Sequence, residues 1–190
     1  MSRLWHMEGA QEEYRYGELV SRSRRWADAY GKQGLQTGDA VVIVLRHSFD
    51  LYASFLGALL GGYVPALFHF PSEKFSRSEY AKTIGSLFEN VKPQMLVLSS
   101  DLDDVRRLGN EFGLMNVKCL DPGAVKDVEL DKPSFGSVNV RDAADVLFLQ
   151  YSSGTTGFKK GVAISTEALY WQIDAYAKAI HLTAKDHIIT

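Results

Sequence analysis

The chain has 190 residues, 46% of them apolar and 23% charged, and its 21 Lys plus Arg against 23 Asp plus Glu give a formal net charge of −2. This is the composition of one folded domain or two small ones; it excludes a disordered chain and the basic surface of a nucleic-acid binder. A single cysteine, Cys119, excludes an internal disulfide and a cysteine-rich zinc site, and the expected setting is a reducing cytoplasm.

No apolar signal region occurs between Met1 and Tyr16. The first helical pattern is Tyr16, Leu19, Val20, Ser23, Trp26, Ala27 and Tyr30, which predicts one buried stripe, with Gly31 and Gly34 ending the helix. Arg22, Arg24 and Arg25 are expected on its solvated face. Gly38-Asp39 turns the chain into Val41-Val42-Ile43-Val44-Leu45. Five consecutive apolar residues, four of them β-branched, predict a strand covered on both faces, as in a parallel sheet.

Leu51 to Ser72 carries no Asp, Glu, Lys or Arg and is long enough to cross a bilayer. Gly61, Gly62, Pro65 and Pro71 break it, so it reads instead as a buried helix (50–60) running into a strand (64–68). No transmembrane segment is expected. A polar helix over 77–88 and a strand over 95–98 follow. Ser100 with Asp103 resembles a capping box for a helix over 102–112, and Asp101, Asp103 and Asp104 are read as first-turn acids rather than metal ligands. Strands are predicted over 117–120, 146–149 and 162–164. Residues 121–145, with Pro122, Gly123, Pro133 and Gly136, form the candidate linker. Leu169, Ile173, Tyr176, Ala177 and Ile180 mark one face of a last helix, and Ile188-Ile189-Thr190 begins a further strand, so truncation of a longer protein is expected.

Alternating elements of this kind predict an α/β fold with a mostly parallel sheet flanked by helices. Trp26, Trp171 and the tyrosines at helical spacing are assigned to the core. The five histidines lack metal-ligand spacing, and no GxSxG elbow is present. His69, just beyond the 64–68 strand, is a candidate cleft residue. Cys119, inside an apolar strand, is expected to be inert.

One segment carries chemistry: Gln150-Tyr151-Ser152-Ser153-Gly154-Thr155-Thr156-Gly157-Phe158-Lys159-Lys160-Gly161-Val162. The glycines let the backbone turn and present its N–H groups. Two hydroxyl side chains flank Gly154 on each side, and two lysines follow. Amides, hydroxyls and ammonium groups together suit a polyphosphate. The loop is not the GxxxxGK[ST] type, because Lys159 stands where the second glycine belongs. Val162-Ala163-Ile164 reads as a strand rather than a helix, so strand–loop–strand geometry is predicted and no helix dipole faces the phosphates. A ligand-free hairpin turn uses the same residue types; the lysines and flanking strands favour the phosphate.

The run from Tyr151 to Val162 resembles the phosphate loop of the adenylate-forming superfamily, whose common form is Y-[ST]-S-G-[ST]-T-G-x-P-K-G-V. That superfamily includes acyl-CoA synthetases, fatty acyl-AMP ligases, luciferases and peptide-synthetase adenylation domains. Tyr16-Gly-Glu-Leu19, Gly38-Asp39-Ala40-Val41 and Phe55 through Pro65 resemble further segments of the same family, in order, from about residue 14 to the end. Lys159 departs from the pattern by replacing the usual proline; the loop is then either more mobile or gains a second phosphate contact.

The resemblance implies the N-terminal part (residues 1–190) of an enzyme that uses ATP and Mg to convert a carboxylic acid, a fatty acid being one candidate, to an acyl-adenylate and pyrophosphate. The acyl group would then pass to CoA or a carrier-protein thiol. It implies that Ser152, Ser153, Thr155 and Thr156 donate to phosphate oxygens, that Gly154 and Gly157 permit close approach, that Lys159 adds charge, and that Lys160 is the catalytic cation offsetting charge on the departing pyrophosphate. The Mg ligands and the C-terminal parts are expected elsewhere, and the fragment alone is expected to be inactive. Two rival readings are a non-catalytic nucleotide- or phosphate-binding module and an interaction fragment whose open sheet edge pairs with a second copy as a homodimer.

Overall fold

The computed structural model describes residues 2–5, 11–71, 76–109, 117–125, 142–151, 161–183 and 186. Its centre is β3 (Ala40–Val44), the branched run expected to be covered on both sides, and Val41 to Val44 have no exposed surface. β4 (Val64–Leu67) and β5 (Met95–Leu98) pair with it in parallel, one on each side. β6 (Lys118–Leu120) adds to β5, and β7 (Val146–Tyr151) adds to β4, again in parallel. β8 (Gly161–Ser165) runs antiparallel to β7 at the edge. The order is β6-β5-β3-β4-β7-β8, the mostly parallel α/β sheet that the apolar runs predict.

The alternation of β3 decides which helix lies on which face. Val41 and Ile43 point to one side, where Trp26 and Tyr30 of α1 (Tyr16–Lys32) and Ala53 and Ala58 of α2 (Phe49–Leu60) complete a core. Val42 and Val44 point to the other, against Tyr80, Ile84 and Phe88 of α3 (Arg77–Val91) and Val105 of α4 (Asp103–Gly109). Ser48 caps α2 by accepting the Leu51 N–H at 3.2 Å.

The structure corrects several expectations. Ser100 does not cap a helix: it opens a single 3-10 turn (Ser100–Leu102), and α4 begins after it. A capping box is present at the start of a different helix, α3, where the Glu79 N–H donates to Ser76 Oγ at 3.2 Å and the Ser76 N–H to Glu79 Oε2 at 3.1 Å. The Ser76 hydroxyl also donates to Glu79 Oε2 at 2.7 Å, and that bond, followed by the one from the Ser76 N–H, favours the carboxylate and holds Glu79 below its ordinary pKa. A hairpin of β1 (Ser2–Trp5) and β2 (Gln11–Tyr14) precedes α1; Gln11-Glu12-Glu13 gave no apolar alternation by which to foresee it. Within α1, Ser23, Trp26 and Tyr30 are buried as expected, whereas Tyr16 and Val20 are exposed. α5 (Thr166–Ala179) forms, but no residue in it is buried. Trp171, assigned to the core from its spacing, is 61% exposed, and Tyr170, Ile173, Tyr176 and Ile180 are also exposed.

Arg22 is not on a solvated face either. Its side chain is 14% exposed and grips Asp50, Nε to Oδ1 at 2.7 Å and Nη2 to Oδ2 at 3.1 Å. Nη1 donates to the Val125 carbonyl at 2.9 Å, and the indole N–H of Trp26 donates to the same Asp50 Oδ1 at 2.8 Å. One carboxylate thus ties two positions of α1 to α2, and Arg22 ties both to the segment after β6. Replacing Asp50 with alanine removes three charge-assisted bonds and leaves a largely buried guanidinium and an indole N–H without that acceptor. The expected loss is about 2–3 kcal/mol, read from a urea titration with an unchanged slope.

Candidate functional site

In an open parallel sheet, ligands sit beyond the carboxyl ends of the strands, where neighbouring strands feed helices on opposite faces. Here β3 leads to α2 on one face, and its neighbour β5 leads to the 3-10 turn and α4 on the other. Arg46, after β3, lies 4.2 Å over the Phe70 ring, which follows β4, and its Nε is 3.4 Å from Asp101, which follows β5. The residues that follow three central strands therefore meet at this edge. The Arg46–Asp101 pair is exposed and contributes little to stability.

β7 runs parallel to β4 through Ala66 opposite Leu149, so it ends on this same carboxyl edge. The chain leaves the sheet at Tyr151 and re-enters at Gly161, and these two residues are paired directly across the antiparallel β7–β8 ladder. Tyr151 and Gly161, which flank residues 152–160 in the sequence, are therefore held about 5 Å apart, as in any such pair. The strand expected after the segment, in place of a helix, is present as β8, and β7 has Leu149 and Tyr151 packed on the α3 face and Phe148 edge-on to Phe55 of α2 at 5.7 Å. The predicted contacts themselves, Ser152, Ser153, Gly154, Thr155, Thr156, Gly157, Lys159 and Lys160, lie outside the described residues.

The strand on the far side of the neck leads into α5, whose first turn is capped by Ser165 accepting the Ala168 N–H at 3.1 Å. Its second residue is tied back by a bond from the Glu167 N–H to the Ala143 carbonyl at 3.0 Å. The turn before β7 and the helix after β8 thus brace the hairpin from its base.

Other candidates are less well placed. His69 is exposed, as a cleft residue would be, and its carbonyl accepts the Tyr80 hydroxyl; burial pushes that hydroxyl well above its ordinary pKa, so it stays a donor. His47 bonds Tyr52 at 2.7 Å on the surface. Burial raises the Cys119 thiol, which disfavours the reactive thiolate and agrees with the inert role expected of it. A cleft of about 490 Å³ between the starts of α1 and α2 contains Arg22 and Asp50, which are already bonded to each other. Among the described residues no group of His, Cys, Asp or Glu is arranged to hold a metal, and no helix is long and apolar enough to cross a membrane.

The profile of the AMP-binding enzyme family matches residues 3–190, and the chain belongs to that family. It is 27% identical over 188 residues to 4-coumarate–CoA ligase 2 of Petroselinum crispum, covering 94% of this chain and 33% of that protein. Among solved structures, McyG A-PCP complexed with phenylalanyl-adenylate superposes with a TM-score of 0.81 at 17% identity, over 97% of this chain and 29% of that one. The fatty acyl-adenylate ligase of L. pneumophila, in complex with acyl adenylate and pyrophosphate, superposes with a TM-score of 0.75 at 20% identity, over 94% and 30%. At these identities the superpositions establish the fold, which is that of the N-terminal region of adenylate-forming enzymes. The chain spans about a third of the length of the relatives it matches.

Proposed function

We propose that the whole protein activates a carboxylic acid with Mg-ATP, forming an acyl-adenylate and pyrophosphate, and that residues 1–190 supply its phosphate-binding loop. One observation carries the reading: the two strands that flank the Ser-Ser-Gly-Thr-Thr-Gly-Phe-Lys-Lys sequence, β7 and β8, pair antiparallel, and β7 ends at the carboxyl edge of a parallel sheet. In this reading the hydroxyls of Ser152, Ser153, Thr155 and Thr156 and the loop amides around Gly154 and Gly157 donate to β- and γ-phosphate oxygens. Lys159 and Lys160 supply positive charge, Lys160 toward the departing pyrophosphate. The work is electrostatic positioning with no covalent intermediate on the loop. The resemblance to a CoA ligase and to an A-PCP unit supports CoA or a carrier-protein thiol as the acceptor. The acid is a fatty acid, an aryl acid or an amino acid, classes represented among the relatives.

Residues 1–190 alone are expected to bind ATP negligibly and to catalyse no exchange, because a triphosphate loop by itself holds neither the adenine nor the acid. Isothermal titration of this chain with Mg-ATP checks the point. Micromolar binding would favour a non-catalytic nucleotide-binding module instead. A second reading, association of two copies through α5 and the open edge of β8, is favoured by the exposed Tyr170, Trp171, Ile173 and Tyr176. Size-exclusion chromatography of the chain distinguishes it.

A further inference from the structure

The ends of β7 and β8, which flank residues 152–160, are held by more than their own ladder. β7 and β4 share one paired position, Ala66 opposite Leu149. Two residues further along each strand, on the same face, stand Phe68 and Tyr151, with ring centroids 6.2 Å apart and planes at 75°, edge to face. The Tyr151 ring also lies against Gly161, its partner across the β7–β8 ladder. A Cβ placed on Gly161 would stand 2.7 Å from Cζ and 2.7 Å from the hydroxyl oxygen of Tyr151. The space a side chain would take at 161 is therefore filled by the tyrosine.

Phe68 is itself buried. It is 5% exposed, its N–H donates to the Ile43 carbonyl at 2.9 Å, and its ring centroid is 6.3 Å from that of Tyr80, whose hydroxyl holds the next carbonyl in the chain. A rigid path thus runs from the central sheet through Phe68 and the Tyr151 ring to the backbone of Gly161. Glycine in a strand ordinarily weakens pairing, because it offers no side chain to pack. An aromatic ring laid over it from the opposite strand restores that contact.

We propose that Tyr151 is a positioning residue: in contact with both Phe68 and the bare backbone of Gly161, its ring holds the ends of β7 and β8, which flank residues 152–160, relative to the sheet. The role rests on the phosphate-binding reading given above. Groups meant to meet a transferring phosphate must be held closely, since a displacement of about 1 Å costs on the order of 100-fold in rate. The edge-to-face contact with Phe68 is made by the ring, so phenylalanine is expected to suffice at 151. Gly161 leaves the ring its place, because a Cβ there forces the ring to shift.

The test uses Tyr151→Phe, Tyr151→Leu, Gly161→Ala and the double variant Tyr151→Leu/Gly161→Ala. In the protein encoded by the complete reading frame, Tyr151→Phe is expected to keep acid-dependent ATP–pyrophosphate exchange within about twofold. Tyr151→Leu is expected to lower kcat by roughly 10- to 100-fold with a smaller change in KM for ATP. Gly161→Ala should lose as much, and the double variant no more than either alone, because both changes remove the same contact. Hydrogen exchange at the backbone amides of residues 150, 151, 161 and 162 reads the neck independently of activity: Tyr151→Leu should speed it about tenfold relative to Tyr151→Phe, with β3 and β5 unaltered. Unchanged neck protection, or single losses that multiply in the double variant, would overturn the clamp. A loosened neck in a protein whose unaltered form shows no exchange with any acid would overturn the phosphate-binding reading and, with it, the positioning role.

Discussion

Gly57→Val is expected to cost about 3–5 kcal/mol, enough to leave the chain largely unfolded at physiological temperature. A Cβ on Gly57 would stand 2.5 Å from the Trp26 Cβ, 2.6 Å from the Ser23 carbonyl oxygen and 3.1 Å from the Ala27 nitrogen. Two of those three atoms are backbone, so no rotamer change relieves the clash. α1 must lift away from α2. Overpacking alone typically costs about 1–3 kcal/mol. Here it also uncovers Trp26 and Tyr30, both fully buried, and a large apolar side chain forfeits about 1.5–3 kcal/mol when its burial is lost. Against a total stability of about 5–15 kcal/mol for a domain of this kind, the sum is severe. Gly17→Ala in the same helix is the control: a Cβ there meets nothing within 4 Å, and alanine favours a helix over glycine by about 1 kcal/mol. Urea titration of both variants checks the contrast; a Gly57→Val chain with the midpoint of the unaltered protein would contradict the packing described.

The second large effect is on turnover. Lys160→Ala, in the protein encoded by the complete reading frame, is expected to lower kcat for ATP–pyrophosphate exchange by about 100-fold while weakening ATP binding less. Charge accumulates on the pyrophosphate as its bond to the α-phosphate lengthens, so a cation aimed there stabilises the transition state more than the ground state. Removing one preorganised electrostatic partner of this type ordinarily costs 100- to 1,000-fold. Lys160 immediately precedes Gly161 in the sequence, and Gly161 is the first residue of β8. Lys159→Ala is expected to have the smaller effect, since Lys160 is the lysine that matches the family pattern. A kcat unchanged in Lys160→Ala, with a raised KM, would reduce Lys160 to uniform ATP binding.

The strands were readable where burial is two-sided. Val41 to Leu45 and Met95 to Leu98 are unbroken apolar runs, and both proved to be central parallel strands. The hairpin neck was readable from the strands on either side of the glycine-rich segment. Contacts between residues far apart in sequence were not: Arg22 and Asp50 are 28 positions apart, and only the packing of α1 on α2 brings them together. The Ser-x-x-acid pattern at Ser100 does not cap its helix because a 3-10 turn follows β5 and α4 begins only at Asp103, whereas the same pattern at Ser76 does cap α3. α5 showed a regular apolar period, yet period reports which residues share a face, not whether anything covers it. Tyr151 was part of the recognised motif, but its relation to Gly161 needed the cross-strand register. The loop chemistry rests on residue types and family resemblance, since residues 152–160 are not described.

Acid-dependent ATP–pyrophosphate exchange, measured on the protein encoded by the complete reading frame with a panel of fatty, aryl and amino acids, tests the central claim most directly. Label should pass from pyrophosphate into ATP only when Mg and a cognate acid are both present. A well-folded protein that binds ATP yet exchanges no label with any acid in the panel would contradict it.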